Sequence, residues 1–144
     1  MNLKNYLIVL LLFVATIAVN AQNESEKSEI EQITATLTDY IEGSTNGQPK
    51  RLEKAFYPDL NLYYVKDGKA GVWSGKDYIK STKEGEPTGE KGKIIFIDYE
   101  NDIATAKVQI SHPESKTPYI DYFMLMKVEG QWTIIHKMYT KRVN

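Results

Sequence analysis

The chain has no cysteine among its 144 residues. Disulfide scaffolds, thiol nucleophiles and zinc–thiolate centres are therefore excluded. Histidine is nearly as scarce, with two in the whole chain, His112 and His136. Two imidazoles and scattered carboxylates do not make a metal-ligand set by spacing, and no glycine-rich nucleotide loop is present, so no metal and no cofactor is expected. A surplus of one charge is missing too. Eighteen Lys and Arg stand against 19 Asp and Glu, a formal net charge of −1. Nucleic-acid binding would need a basic face, and none is indicated.

Long apolar runs are limited to one, Tyr6 to Val19, with Lys4 before it and Val19-Asn20-Ala21 before Gln22. At about 14 residues it falls short of the roughly 20 that span a bilayer. A charged start, a short apolar run and small residues before a cleavage point form the pattern of a secretory signal peptide. Residues 1–21 are read as that peptide and residues 22–144 as a single domain. No Cys follows the run, so no lipid can be attached there. The expected location is periplasmic or secreted, with no membrane attachment after cleavage at Ala21.

What is abundant is tyrosine, ten in the chain, and strand-forming sequence near the C-terminus. Thr117 to Lys141 reads as two long strands joined at Glu129-Gly130, since an acidic residue followed by Gly between apolar runs is a strong hairpin signal. With those two residues as the turn, Met124 faces Ile135 and Tyr122 faces Lys137. One face then carries Ile120, Tyr122, Met124, Met126, Thr133, Ile135, Lys137 and Tyr139. The other carries Asp121, Phe123, Leu125, Lys127, Trp132, Ile134, His136 and Met138. Both faces are largely apolar, whereas a half-solvated sheet alternates. Both are expected to be covered, one by helices and the other by a second surface such as another copy of the chain.

Upstream, Ser28 and Glu31 have the form of a capping box. Ile30, Ile33, Leu37, Tyr40 and Ile41 follow on one helical stripe that stops near Gly43. Pro49 opens a second, short helix with Leu52, Ala55 and Phe56. Strands are predicted over Asn61 to Val65, Gly71 to Ser74, Lys93 to Tyr99 and Ile103 to Ser111, with a third short helix over Lys76 to Ser81. Helices first and then an antiparallel meander is an α+β pattern, with the helices packed on a strongly curved sheet.

Several stretches in this order carry a resemblance: Tyr40-Ile41-Glu42-Gly43, Asn46-Gly47, Ala55-Phe56-Tyr57-Pro58-Asp59, Asp102 to Val108, Asp121-Tyr122-Phe123 and Gly130 to Lys137. The chain resembles the nuclear transport factor 2-like superfamily, the cone-shaped fold shared with ketosteroid isomerase and the SnoaL-type polyketide cyclases. More narrowly it is similar to a bacterial group called "Putative lumazine-binding". The isomerase reaction needs a carboxylate base, plus a Tyr and a protonated carboxylic acid. By similarity the Tyr falls on Tyr40. The base falls on Tyr64 or Val65 and the acid near Met124, so both carboxylates are missing and that chemistry is not expected. The same resemblance puts Tyr122, Met124, Ile135, Lys137 and Tyr139 on the pocket face, and makes the Trp132 face the outer, dimer-forming one.

The candidate ligand-binding residues are thus Tyr40, Phe56, Tyr64, Trp73, Tyr122, Met124, Ile135, Lys137 and Tyr139, with no residue assigned to catalysis. The aromatic members either line a pocket for a flat ligand or pack as ordinary core. Lys137 either sits inside the pocket or lays its stem along the sheet with its ammonium in water. His136 and Asp121, diagonal neighbours on the other face, read as an interface polar pair. The partner expected is a small apolar or aromatic molecule, together with a second copy of the chain. A cyclase- or dehydratase-like enzyme using Lys137 or Tyr40 as acid or base, and a protein-docking module, are the alternatives. The exported chain is expected to begin at Gln22, which N-terminal sequencing of the mature protein checks.

Overall fold

In a computed structural model, residues 28–143 are described. The signal-peptide segment and its cleavage point lie outside them. Residues 28–31 are helical, and one compact unit spans Gln32–Asn144. Helix α1 covers residues 28–45. Helix α2 is Pro49–Ala55, strand β1 Phe56–Lys66, β2 Lys69–Ser74, helix α3 Gly75–Ser81, and β3 to β6 are Lys91–Glu100, Ile103–Ser111, Tyr119–Val128 and Gln131–Lys141. The six strands form one sheet in the order β2-β1-β6-β5-β4-β3. Every neighbouring pair is antiparallel except β1 with β6, which is parallel. The α+β class is as expected, with the helices packed on one sheet.

Local sequence explains most boundaries. Pro49 sits at the start of α2, where its missing N–H would have no helical partner. Ser74 caps α3 by accepting a hydrogen bond from the Asp77 amide at 3.0 Å. The turn at Glu129-Gly130 has φ of 51° and 79°, the two positive angles a type I′ turn demands. Gly47 is the one position where glycine is needed twice over. Its φ is +61°, and a Cβ there would stand 2.4 Å from the Lys83 carbonyl oxygen. The amide of Gly85 donates to the Gly47 carbonyl at 2.8 Å, so this contact pins the 82–90 loop to the end of α1. Strand β1 starts five residues earlier than the sequence suggests, at Phe56. Pro58 is accommodated where the β1–β6 ladder slips between Phe56 and Asn61, a place where no ladder donor is required.

The core lies between the helices and one sheet face. Ile33, Leu37 and Tyr40 of α1 are buried there with Leu52, Leu62, Ala106, Val108, Phe123, Leu125, Trp132 and Ile134. Here the expected faces of the hairpin need correction. From the turn to Leu125↔Ile134 the register is the predicted one, but the next pair is Met124↔His136. Ile135 is an extra residue on β6, a β-bulge, and beyond it every β6 side chain changes face relative to β5. Trp132, on the turn side of the bulge and on the same face as Leu125 and Ile134, is a core residue, 5% exposed, and not an outer one. Lys137 pairs with Phe123, not with Tyr122. Tyr122 and Met124 are 42% and 50% exposed on the far face, because β5 places them out of phase with the buried Asp121, Phe123 and Leu125.

Asp39 joins α1 to α2. Its carboxylate takes Arg51 Nε at 2.9 Å and Lys54 Nζ at 2.6 Å, and Arg51 also pairs with Glu42. Burial pushes the Asp39 pKa up, but the hydrogen bonds and charges of Lys54 and Arg51 outweigh it and hold the group below the usual carboxylate range. A depressed folded-state pKa gives stability that is present above the unfolded value and lost as pH falls through the folded one. Asp39→Asn should cost about 1 kcal/mol at pH 7, since the Lys54 end of the pair is in water. That difference should shrink as the pH is lowered through and below the usual carboxylate range, as urea denaturation at neutral and acidic pH would show.

Candidate functional site

Three elements bring three polar side chains together inside the apolar core. Tyr40 comes from the middle of α1, Asp121 from the start of β5 and Lys137 from β6 just past the bulge. The Tyr40 hydroxyl donates to Asp121 Oδ2 at 2.7 Å. Lys137 Nζ donates to the Tyr40 oxygen at 2.5 Å and lies 3.3 Å from Asp121 Oδ2. Tyr40 and Asp121 are 1% exposed and Lys137 is 4% exposed. Removing two charges from water costs several kcal/mol per ion. Here the cost is offset by mutual attraction, the shared hydroxyl and the ring faces around the ammonium. Nζ stands 4.6 Å from the Tyr40 ring centre and 5.2 Å from those of Tyr78 and Tyr139, within cation–π range. Among the described residues no buried side-chain nitrogen or oxygen lacks a partner.

This group borders a cavity of about 240 Å³. Its walls are Trp73, Tyr78, Tyr119, Tyr139 and Ile110, and Ser44 and Glu90 complete the lining. Trp73 stands edge-on to Tyr78 at 5.6 Å, and Tyr119 edge-on to Tyr139 at 6.3 Å, so the rings brace one another. Burial, and then the Asp121 carboxylate, push the Tyr40 phenol well above its ordinary pKa. Burial and the neighbouring phenols Tyr64, Tyr119 and Tyr78 raise Tyr139. Both are neutral hydrogen-bond donors at physiological pH. Among the described residues no group of three His, Cys, Asp or Glu side chains is placed to hold a metal ion.

The nine sequence-predicted residues divide into three sets. Tyr40, Trp73, Lys137 and Tyr139 line the cavity. Phe56 and Tyr64 stand behind its wall. Phe56 stacks on Tyr40 at 5.9 Å and Tyr64 packs on Tyr139 at 5.3 Å. Tyr122 and Met124 lie on the opposite face of the sheet because they are out of phase with the buried Asp121, Phe123 and Leu125 of β5, and Met124 and the bulge residue Ile135 line a separate groove. The Asp121–His136 pair is also overturned: Asp121 bonds Tyr40, whereas His136 stacks on Tyr63 at 4.9 Å on the outer side. Sequence reasoning missed Asp121, Tyr78 and Tyr119 as lining residues. The available signal for Asp121 was its phase, two and four residues from the buried Phe123 and Leu125.

Comparison with known proteins places this geometry in a family. The family model described as "Putative lumazine-binding" matches residues 28–140. Aldolase FrzH of Cladobotryum sp is 30% identical over 115 residues, which cover 78% of this chain and 90% of that protein. An NTF2-like protein of unknown function from Shewanella baltica superposes with a TM-score of 0.70 at 26% identity, covering 81% of this chain and 96% of its own. One from Silicibacter pomeroyi superposes with a TM-score of 0.71 at 22% identity, covering 81% and 98%. With helices on a six-stranded sheet, a tyrosine-lined cavity and a family match from α1 to the end of β6, the chain belongs to the "Putative lumazine-binding" family of the nuclear transport factor 2-like (NTF2-like) superfamily.

Proposed function

We propose that the chain is an exported small-molecule-binding protein whose ligand is a small, flat, uncharged ring compound held in the cavity beneath α1. One observation carries this reading: aromatic walls around a floor that is polar, buried and already charge-balanced. Rings supply contact area at low entropic cost. The few polar atoms, Lys137 Nζ and the hydroxyls of Tyr78, Tyr119 and Tyr139, can orient a carbonyl or ring nitrogen. At about 240 Å³ the space suits a ligand smaller than the drug-sized ones that fill pockets of roughly 300–1,000 Å³. The family description supports a small heterocycle of the lumazine type, and the leader pattern at residues 1–21 supports export.

A second reading is favoured by the Aldolase FrzH relative and by the buried amine–phenol–carboxylate group. In it the protein is an enzyme acting through Lys137 and Tyr40, and turnover would be lost in Lys137→Ala. The exposed outer face, with Tyr122, Met124, Met138 and Ile103 each over two-fifths accessible, supports self-association through that face. Met124→Lys is expected to convert a dimer to a monomer in light scattering.

Titration with lumazine is expected to quench Trp73 fluorescence saturably. Trp73→Phe should remove the signal and Tyr139→Ala should weaken binding about tenfold, the scale of one lost ring contact. Native mass spectrometry of protein from its own host should find a retained small molecule. Absence of both saturable quenching and a retained mass would sink the binding reading.

The floor is expected to be costly to break and cheap to replace whole. Lys137→Met alone strands a buried carboxylate and should cost about 3–5 kcal/mol. Adding Asp121→Leu should recover most of that loss, as thermal denaturation of the single and double variants would show.

A further inference from the structure

We infer that Lys137 is a carbonyl-capturing nucleophile, which forms an imine with small uncharged aldehydes or ketones in the cavity. The inference rests on the binding reading above and adds a covalent step to it. Four observations carry it. Lys137 is the one amine in the cavity lining. It is 4% exposed and yet borders the space a ligand would fill. Its Nζ is in direct hydrogen-bond contact with a phenol that is itself bonded to a carboxylate. The rings of Tyr40, Tyr78 and Tyr139 around Nζ leave little room for bulk water, which would hydrolyse an imine.

An ammonium is not a nucleophile, so the proton must have somewhere to go. Tyr40 provides the route. Its phenol passes its proton to Asp121 Oδ2 and takes one from Nζ, leaving a neutral amine beside a neutral acid. Net charge in the core is zero before and after, so no isolated buried charge is created. Nζ then attacks the carbonyl carbon; the C–N bond forms and the oxygen, taking the proton that Nζ gives up, becomes the hydroxyl of a carbinolamine. The Asp121 proton returns to that hydroxyl, the C–O bond breaks and water leaves. The product is a protonated imine again paired with the Asp121 carboxylate. One carbonyl and one ammonium give one iminium and one water, with no oxidant or further reactant. An uncharged carbonyl is the class that fits. The Lys137 charge is already matched by Asp121, and Glu90 on the lining disfavours an anion. Tyr40 is a positioning and proton-relay residue in this step.

The test is reductive trapping. The mature protein is incubated with benzaldehyde or cyclohexanone and cyanoborohydride, then mapped by peptide mass spectrometry. Lumazine quenching of Trp73 is measured on the same samples. One reduced adduct at Lys137 is expected, absent in Lys137→Arg, which keeps the positive charge that Asp121 needs for folding. In Tyr40→Phe the trapping rate should fall about a hundredfold, the scale of a lost proton-transfer partner. Its pH–rate profile should also move to higher pH, because hydroxide must then remove the proton, and a purely structural role for Tyr40 would not move that profile. Adducts spread over surface lysines at equal rates in wild type and Lys137→Arg would overturn the inference. Lumazine binding without a Lys137 adduct overturns the imine and leaves the binding reading standing. Loss of both signals overturns both.

Discussion

The structure depends on one buried ion pair, Lys137 with Asp121, and on the Tyr40 hydroxyl between them. Two charges in an apolar core are tolerable only in close, hydrogen-bonded contact. That requirement acts on three elements at once. Helix α1 must hold Tyr40 over the sheet, β5 must present Asp121 inward, and β6 must turn Lys137 to the same side. The last condition is met by the extra residue Ile135. In an unbulged hairpin Lys137 would share a face with Tyr122 and Met124, and Asp121 would be buried with no cation. The bulge, which looks like an irregularity of pairing, sets the composition of the cavity floor.

Much of the architecture is legible in the sequence because it is local. Asp67-Gly68, Asn101-Asp102 and Glu129-Gly130 each carry positive φ at their first residue, which short polar side chains or a turn context signal directly. The alternation of Ala104, Ala106, Val108 and Ile110 predicts both the existence and the facing of β4, and all four are buried. The candidate site was only partly legible, because its facing depends on a single residue within an apolar run. Ile134 and Ile135 have the same side chain, so nothing in their chemistry says which belongs to the core. The Ile-Ile pair hides the bulge, and the inference about Lys137's neighbours fails with it. Tyr78 was hidden differently: a short helix with one aromatic gives no indication of where its ring will point until β1 and β2 position it.

On the cavity floor the Tyr40 phenol meets a carboxylate and an ammonium together. The carboxylate it meets is Asp121, and that carboxylate is matched by an ammonium 3.3 Å away. A protonated acid donates to a developing oxyanion, whereas the resting Asp121 carboxylate accepts from Tyr40 and is paired with Lys137. Positive charge sits at Lys137 among the π faces of Tyr40, Tyr78 and Tyr139, and Asp121 borders the cavity beside it. Trp73 and Tyr119 line the same cavity as the ammonium and the rings. One fold hosts many functions, and here both members of a buried ion pair border the cavity.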